Sequence, residues 1–336
     1  MNAERRKILL RSLLLCVGAV ILLAAGMKII DLIQQKMYPE SRETGTDEFM
    51  QTNVVEWKGE KYWKTPGVTT ILIAGIDQES GAIEGVSTSR YRNGGQADFL
   101  LLLAFDHTQK KIHQLQIDRD TMTNVTVLSV YGRETGSRIM QICLSHSYGA
   151  NKEENARYTV RAVRGLMGDM EIDGCYMVDY SAVAVINDTL GGVTVTVPDD
   201  MTSVNPLWNE GSVVTLAGSE AESFVRARKT VGAGTNEERM RRQNEFMQKA
   251  ILQMRARLSE DSAFGARLLT ALKKKATTDL TDQQLLEEIQ QSLRYEILPV
   301  EYLAGEYKIG ESGYMEFYAQ EDSPQDWIMR HLYYCK

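Results

Sequence analysis

The chain is short of the residues that most small-molecule and metal chemistry uses. It has four cysteines, four histidines and six prolines in 336 residues. Cys16 sits inside an apolar run, which leaves Cys143, Cys175 and Cys335, an odd number without metal-type spacing. No disulfide framework follows from that count, although two of the three could pair. His107, His113, His146 and His331 are scattered, which argues against zinc. A basic excess is also missing: 38 Lys and Arg stand against 45 Asp and Glu, a net charge of −7, which argues against a general nucleic-acid binder. There is no P-loop, no Gly-rich dinucleotide fingerprint and no solenoid-period repeat, so nucleotide-driven chemistry and repeat architectures are set aside.

What is present begins with an apolar run from Leu13 to Met27, extended by Ile29 and Ile30, with Arg5, Arg6, Lys7 and Arg11 before it. About 20 apolar residues cross a bilayer core, and flanking positive charge stays in the cytoplasm. Residues 1–11 therefore read as a cytoplasmic head, 12–33 as a transmembrane helix and 34–52 as a polar extracytoplasmic stalk. A cleaved signal peptide is the alternative, but the run is long for one and stays apolar past any small-residue site.

Beyond the stalk, apolar strands alternate with helical patterns. "VVEWKGEKYWK" turns about Gly59 like a β-hairpin, and "VTTILIAGID", "ADFLLLLAFD" and "KKIHQLQIDRDT" read as strands, the first two buried. Helical spacing marks 153–168, "SAVAVINDTLGG", "LAGSEAESFVRAR", the stretch from Glu237 to Leu258, and two further segments over 262–276 and 281–293. The pattern predicts a three-layer α/β/α sandwich about a central mixed sheet. The globular part divides into a main domain, 53–260, and a C-terminal helical and mixed extension, 261–336, packed on it.

Charge appears where the buried strands end. Asp77 closes one, Asp98 opens the next, and Arg119 and Asp120 close a third. Strand ends in α/β sheets are where ligands are held. Separately, "FVRARKTVGAGTNEERMRRQNEF" places Arg226, Arg228, Arg239, Arg241 and Arg242 around a glycine-rich turn in an acidic chain. At 100° per residue Arg239 and Gln243 share a helix face with Arg242 on its flank, and Arg241 points to the other side. Arg226 and Arg228 project together only where the helix before them has unwound. Guanidinium forks match phosphate oxygens, and paired carboxylates facing a diphosphate suggest Mg²⁺. A solvated helix face, offset by Glu237, Glu238 and Glu245, is the alternative.

The order "GID", "ADFLLLLAFD", "LQIDRDTMT", "QICLSHSYGA", "LGGVTVTVP", "AESFVRAR", "ERMRRQ" over residues 68–255 resembles the LytR–CpsA–Psr family of cell-wall glycopolymer ligases. The resemblance implies an apolar tunnel for a polyprenyl diphosphate lipid with an arginine-lined mouth. By motif, Arg119, Arg226, Arg228, Arg239, Gln243 and Arg242 are its diphosphate-binding residues. Asp77 and Asp98 are its metal ligands, with Asp98 and Arg119 catalytic. The implied reaction is a Mg²⁺-dependent, nucleotide-independent phosphotransfer. It joins a polyprenyl-diphosphate-linked glycan to a peptidoglycan hydroxyl through a phosphodiester and releases polyprenyl phosphate, in a single-pass membrane protein whose catalytic domain is extracytoplasmic. A lipid-binding module without chemistry and a lipid diphosphate hydrolase are the alternatives, and a cytoplasmic head of about ten residues is too short for a DNA-binding motif. The sequence departs from the family pattern at Gln141, where a lysine is usual, at Ala97 and Phe99 beside Asp98, at Asp118 in place of proline, and at Asn236 in place of an acid.

Overall fold

The computed structural model describes residues 54–77, 94–129, 131–228 and 231–335. The apolar run, the stretch read as a stalk and residues 78–93 lie outside the described residues. Among those described, no helix is long and apolar enough to cross a membrane. Residues from Val55 onward form one compact unit.

The first hairpin pairs β1 (Val54–Trp57) with β2 (Glu60–Lys64). Lys58 and Gly59 both take positive φ, 52° and 83°, as a two-residue hairpin turn requires. The central sheet contains β3 (Val68–Ile76), β4 (Ala97–Asp106), β5 (Lys111–Ile117), β8 (Gly174–Asp179), β11 (Ala276–Thr278) and β12 (Glu296–Tyr302). Their order is β11-β8-β3-β4-β5-β12. β3–β4 and β4–β5 are antiparallel, whereas β3–β8 and β5–β12 are parallel, so the sheet is mixed. Both edge strands, β11 and β12, come from the C-terminal 76 residues assigned above to an extension (261–336). That segment completes the sheet and is not an appendage to it.

β3 and β4 are buried on both faces, as their unbroken apolar runs require. Side chains alternate: Leu72, Ala74, Leu100, Leu102 and Leu115 share a core with α1 (Lys152–Leu166) and α7 (Ser323–Leu332). Ile71, Leu101, Leu103, Phe105 and Ile112 face the other way, toward Met247 of α4 (Asn236–Glu260). A third cluster joins α2 (Ser181–Leu190), α3 (Glu220–Arg226), α4 and α5 (Phe264–Leu272) with the small hairpin β9 (Thr194–Thr196) and β10 (Val213–Thr215). A last helix, α6 (Asp282–Ser292), follows β11.

The helix boundaries follow local chemistry. Asn151 caps α1 by accepting from the Glu154 amide, and Gly191, at φ 85°, ends α2 in the left-handed conformation. Thr235 and Glu238 form a reciprocal capping box at the start of α4, so the arginine helix begins at a fixed residue. Two hairpins unread in the sequence flank the sheet's end: β6 (Met122–Leu128) with β7 (Glu134–Gln141), and β13 (Gly305–Ile309) with β14 (Met315–Ala319). A final strand, β15 (Tyr333–Cys335), returns to β2. No disulfide joins Cys143, Cys175 and Cys335.

Candidate functional site

Where β3 ends and β4 begins, their register slips by one residue: Gly75 faces Phe99, but Ile76 faces Ala97. Asp98 is the extra residue, and such bulges re-aim side chains beside functional sites. At the far end of β5 the chain turns through Asp118–Thr121. The Asp118 carboxylate accepts from the Asp120 amide at 2.7 Å, and its carbonyl accepts from the Thr121 amide at 3.1 Å. That Asx turn projects Arg119 back toward β4.

Arg119 and Arg239 meet on Asp98. Arg119 Nη1 binds Asp98 Oδ1, and Arg239 Nη1 donates to Asp98 Oδ2 at 2.9 Å. The Asp98 side chain is only 6% exposed, so two guanidinium groups 120 residues apart in the chain share one buried carboxylate. Arg119 also donates to Gln96 Oε1 at 2.5 Å and to Cys143 Sγ at 2.9 Å. Burial pushes the Cys143 thiol up to about 11, so it is an uncharged neighbour of the cluster. Arg119 itself is held protonated: burial opposes its charge, but the hydrogen bond to Cys143 and the Asp98 and Asp120 carboxylates outweigh it.

The other residues singled out above fall into two groups. Arg226 ends α3, and Ala227 then turns extended, with ψ at 132°, which frees Arg228 from the helix as required. Arg226 donates to Asp77 at 2.6 Å and to Glu222 at 2.9 Å, and stacks over the Tyr180 ring at 5.2 Å. Arg228 lies 4.0 Å from Asp120 Oδ2. Gln243 donates to the Tyr180 hydroxyl at 3.3 Å. These side chains surround the Asp98 cluster.

Arg242 does not join them. Its side chain is fully buried, donating to Asp199 Oδ2 at 2.7 Å and to the Ala227 carbonyl, with Arg241 on the same aspartate at 2.5 Å. Arg242, expected at the diphosphate, is bonded instead to Asp199 and Ala227, away from Asp98. It ties α4 to the segment after β9 and to the end of α3. Arg241, expected on the opposite flank, shares its partner.

Four residues named in the sequence without an assigned role also stand at this cluster. Asp120 Oδ2 is buried without a hydrogen bond, and burial, only partly offset by Arg119, raises the Asp120 pKa. Gln141, at the missing lysine, donates to Asp120 Oδ1 at 3.0 Å and to the Met315 carbonyl at 2.7 Å. Asp118 and Asn236, the two other charge-altering departures, are bonded to each other at 2.8 Å. The pairing of Asp118 with Asn236 left no sequence signal, because 118 positions separate them.

Behind this cluster lies an apolar cavity of about 360 Å³. Gly75, Phe99, Tyr180 and Gln243 line its near end, and Leu103, Phe105 and Ile297 its far end. Its walls are the outward face of β3 and β4 on one side and Met247, Ile251 and Met254 of α4 on the other. The helix that presents Arg239 to the carboxylate also roofs the cavity.

A family model, the LytR_cpsA_psr family, matches residues 33–324. The chain belongs to this family. Among curated proteins it is similar to the polyisoprenyl-teichoic acid–peptidoglycan teichoic acid transferase TagU of Halalkalibacterium halodurans, 27% identical over 208 residues. The match covers 62% of this chain and spans 63% of that relative's length. Among solved structures it is similar to TagV of B. subtilis, 21% identical with a TM-score of 0.57, covering 79% of this chain and 97% of that one. It is also similar to TagT bound to LIIa-WTA, 19% identical with a TM-score of 0.58, covering 80% and 92%. At those identities the structures speak for the shared fold.

Proposed function

We propose that this family member transfers a glycopolymer from a polyprenyl diphosphate carrier to peptidoglycan. One observation carries the reading. Arg119 and Arg239 converge on Asp98 at the end of an apolar cavity lined by Phe99 and Gln243. A prenyl chain suits the cavity, and a diphosphate suits the guanidinium forks. The curated relative, a teichoic acid transferase by name, supports the same reaction class.

In the free protein Asp98 is the anion between the two arginines. Phosphate oxygens of a substrate take its place on Arg119 and Arg239, and the released carboxylate faces the reacting phosphorus. A peptidoglycan hydroxyl then attacks the glycan-bearing phosphorus, passing its proton to Asp98. The new O–P bond forms as the bridging P–O bond breaks, and polyprenyl phosphate leaves with the bridging oxygen. Arg226 and Arg228 hold the outer oxygens, since both stand at the end of α3 beside Asp77 and Asp120. Positive groups fixed where charge develops are the main source of such catalysis.

The donor set fits Mg²⁺. Asp77 would supply a hard oxygen, joined by Asp98 only where Asp98 is not the base, and among the described residues no group of three or more His, Cys, Asp and Glu gathers, so substrate phosphates and water would complete the shell. When bound there, Mg²⁺ neutralises phosphate charge. The membrane anchor of residues 12–33 would keep the cavity near the lipid, with the catalytic domain outside the cell.

Incubation with lipid-linked glycan, peptidoglycan and Mg²⁺ tests the reading. Phosphodiester-linked product with released polyprenyl phosphate is expected. Free glycan phosphate would identify a hydrolase, and lipid retained without turnover would identify a binding module.

A further inference from the structure

The arginine that most directly faces Asp98 from α4 is held by a chain of hydrogen bonds reaching the C-terminal hairpin. Tyr307, on β13, donates to Asp118 Oδ2 at 2.5 Å. Asp118 Oδ1 accepts from Asn236 Nδ2 at 2.8 Å and from the Asp120 amide at 2.7 Å. Because the Asn236 amide nitrogen is committed to Asp118, its oxygen must turn the other way. That oxygen accepts from Arg239 Nε at 3.1 Å and Nη2 at 2.5 Å. One edge of the guanidinium is thereby fixed, and only Nη1 reaches Asp98, at 2.9 Å.

We propose that Asp118 and Tyr307 are positioning residues of the anion site, setting through Asn236 the rotation at which Arg239 meets phosphate. An amide has a donor side and an acceptor side, and a carboxylate on one side decides which way it faces. Asp118 is that carboxylate, buried, with both oxygens engaged. Asn236 places a neutral acceptor on Arg239 where a carboxylate would cancel its charge, so the guanidinium stays oriented yet remains attractive to an anion. Burial, followed by the bond to Asp118, holds the Tyr307 phenol protonated and donating. The β13–β14 hairpin is anchored to the same turn twice more, through the Phe317 amide on the Asp120 carbonyl at 2.8 Å and Gln141 on the Met315 carbonyl at 2.7 Å. Neither Asp118 nor Tyr307 lines the cavity or touches Asp98.

The proposal rests on the anion-site reading above, and binding of farnesyl diphosphate to the full chain, followed by titration calorimetry, separates the two. Asp118→Asn is expected to weaken binding about tenfold and Tyr307→Phe about threefold. In an Arg239→Lys background, where the fork is gone, Asp118→Asn should add less than twofold, since a residue acting through another loses its effect when that other is removed. Should Asp118→Asn fail to fold, Tyr307→Phe, which deletes one oxygen from a partly exposed ring, carries the test with its own Arg239→Lys pairing. Wild-type protein that does not bind farnesyl diphosphate overturns the anion site and the relay together. Wild-type binding with unchanged variants, or with effects that multiply fully in the Arg239→Lys background, overturns the relay alone.

Discussion

Two aspartates in this protein are each gripped by two arginines, and the two clasps have different surroundings. Asp199 holds Arg241 and Arg242, while Asp98 holds Arg119 and Arg239. Both carboxylates are buried, and both clasps draw on the same turn of α4. The Asp199 clasp also binds the Ala227 carbonyl. No member of either clasp lines the cavity, but Phe99, the residue next to Asp98, does. Burial lowers the pKa of Arg242 despite Asp199. The Asp98 clasp has the cavity behind it, the half-exposed Arg226–Asp77 pair beside it and a carboxylate oxygen on Asp120 without a hydrogen bond. Count and type of charge do not separate a structural clasp from a binding one. What stands beside the clasp does.

Removing the shared anion should separate the two most sharply. Asp98→Ala leaves two buried guanidinium groups facing each other, at a cost of about 3–5 kcal/mol, and should abolish glycan transfer. Thermal melting and a transfer assay report both losses. Arg242→Met should lower stability by about 3 kcal/mol, because Asp199 loses its buried partner, while farnesyl diphosphate affinity stays within twofold of wild type. A loss of affinity larger than the loss of fold would return Arg242 to the binding group. Arg119→Ala should do the reverse, leaving a folded protein whose transfer rate falls at least a hundredfold, the scale of losing one charge-stabilising group at a reacting phosphate. Full activity in that variant would refute its assignment.

The cavity offers a finer division. Ile251→Trp fills space behind the clasp without touching it. Affinity for farnesyl diphosphate should fall about tenfold and affinity for inorganic pyrophosphate should not change, as calorimetry with both ligands would show. The smallest expected effect is at Asp120. Its folded pKa is raised by burial, so the native state takes up a proton before the unfolded chain does, and stability contributed at this position falls as pH rises from about 4 through the folded value. Asp120→Asn should therefore be the more stable protein at pH 7, with the difference closing toward pH 4 in denaturant melts.

Much of this was legible in the sequence, and the reasons divide cleanly. β4 was read as Ala97–Asp106 and found there, because a strand buried on both faces is an unbroken apolar run. Asp98 and Arg119 were read as site residues because each stands at the end of a buried strand, and Arg239 because it shares a helix face with Gln243 in the arginine-rich window and matches the family motif. Arg242 misled because it lies three residues from Arg239. That spacing turns a side chain only 60° about the axis but carries it roughly 4.5 Å along it, from the sheet's end into the packing against Asp199. β11 and β12 were missed because an edge strand declares itself through a partner far away in the chain, and Ala276–Thr278 is only three residues long. The hairpin carrying Tyr307 is polar and exposed along β13, so no hydrophobic period marked it.

The central claim is that Arg119 and Arg239 are brought together to hold a diphosphate at the end of the cavity. A crystal structure with farnesyl diphosphate bound tests it most directly. The account requires both guanidinium groups to have moved from Asp98 onto phosphate oxygens, with the prenyl chain between Phe99 of β4 and Met247 of α4. A diphosphate bound elsewhere, with both arginines still on Asp98, would contradict it.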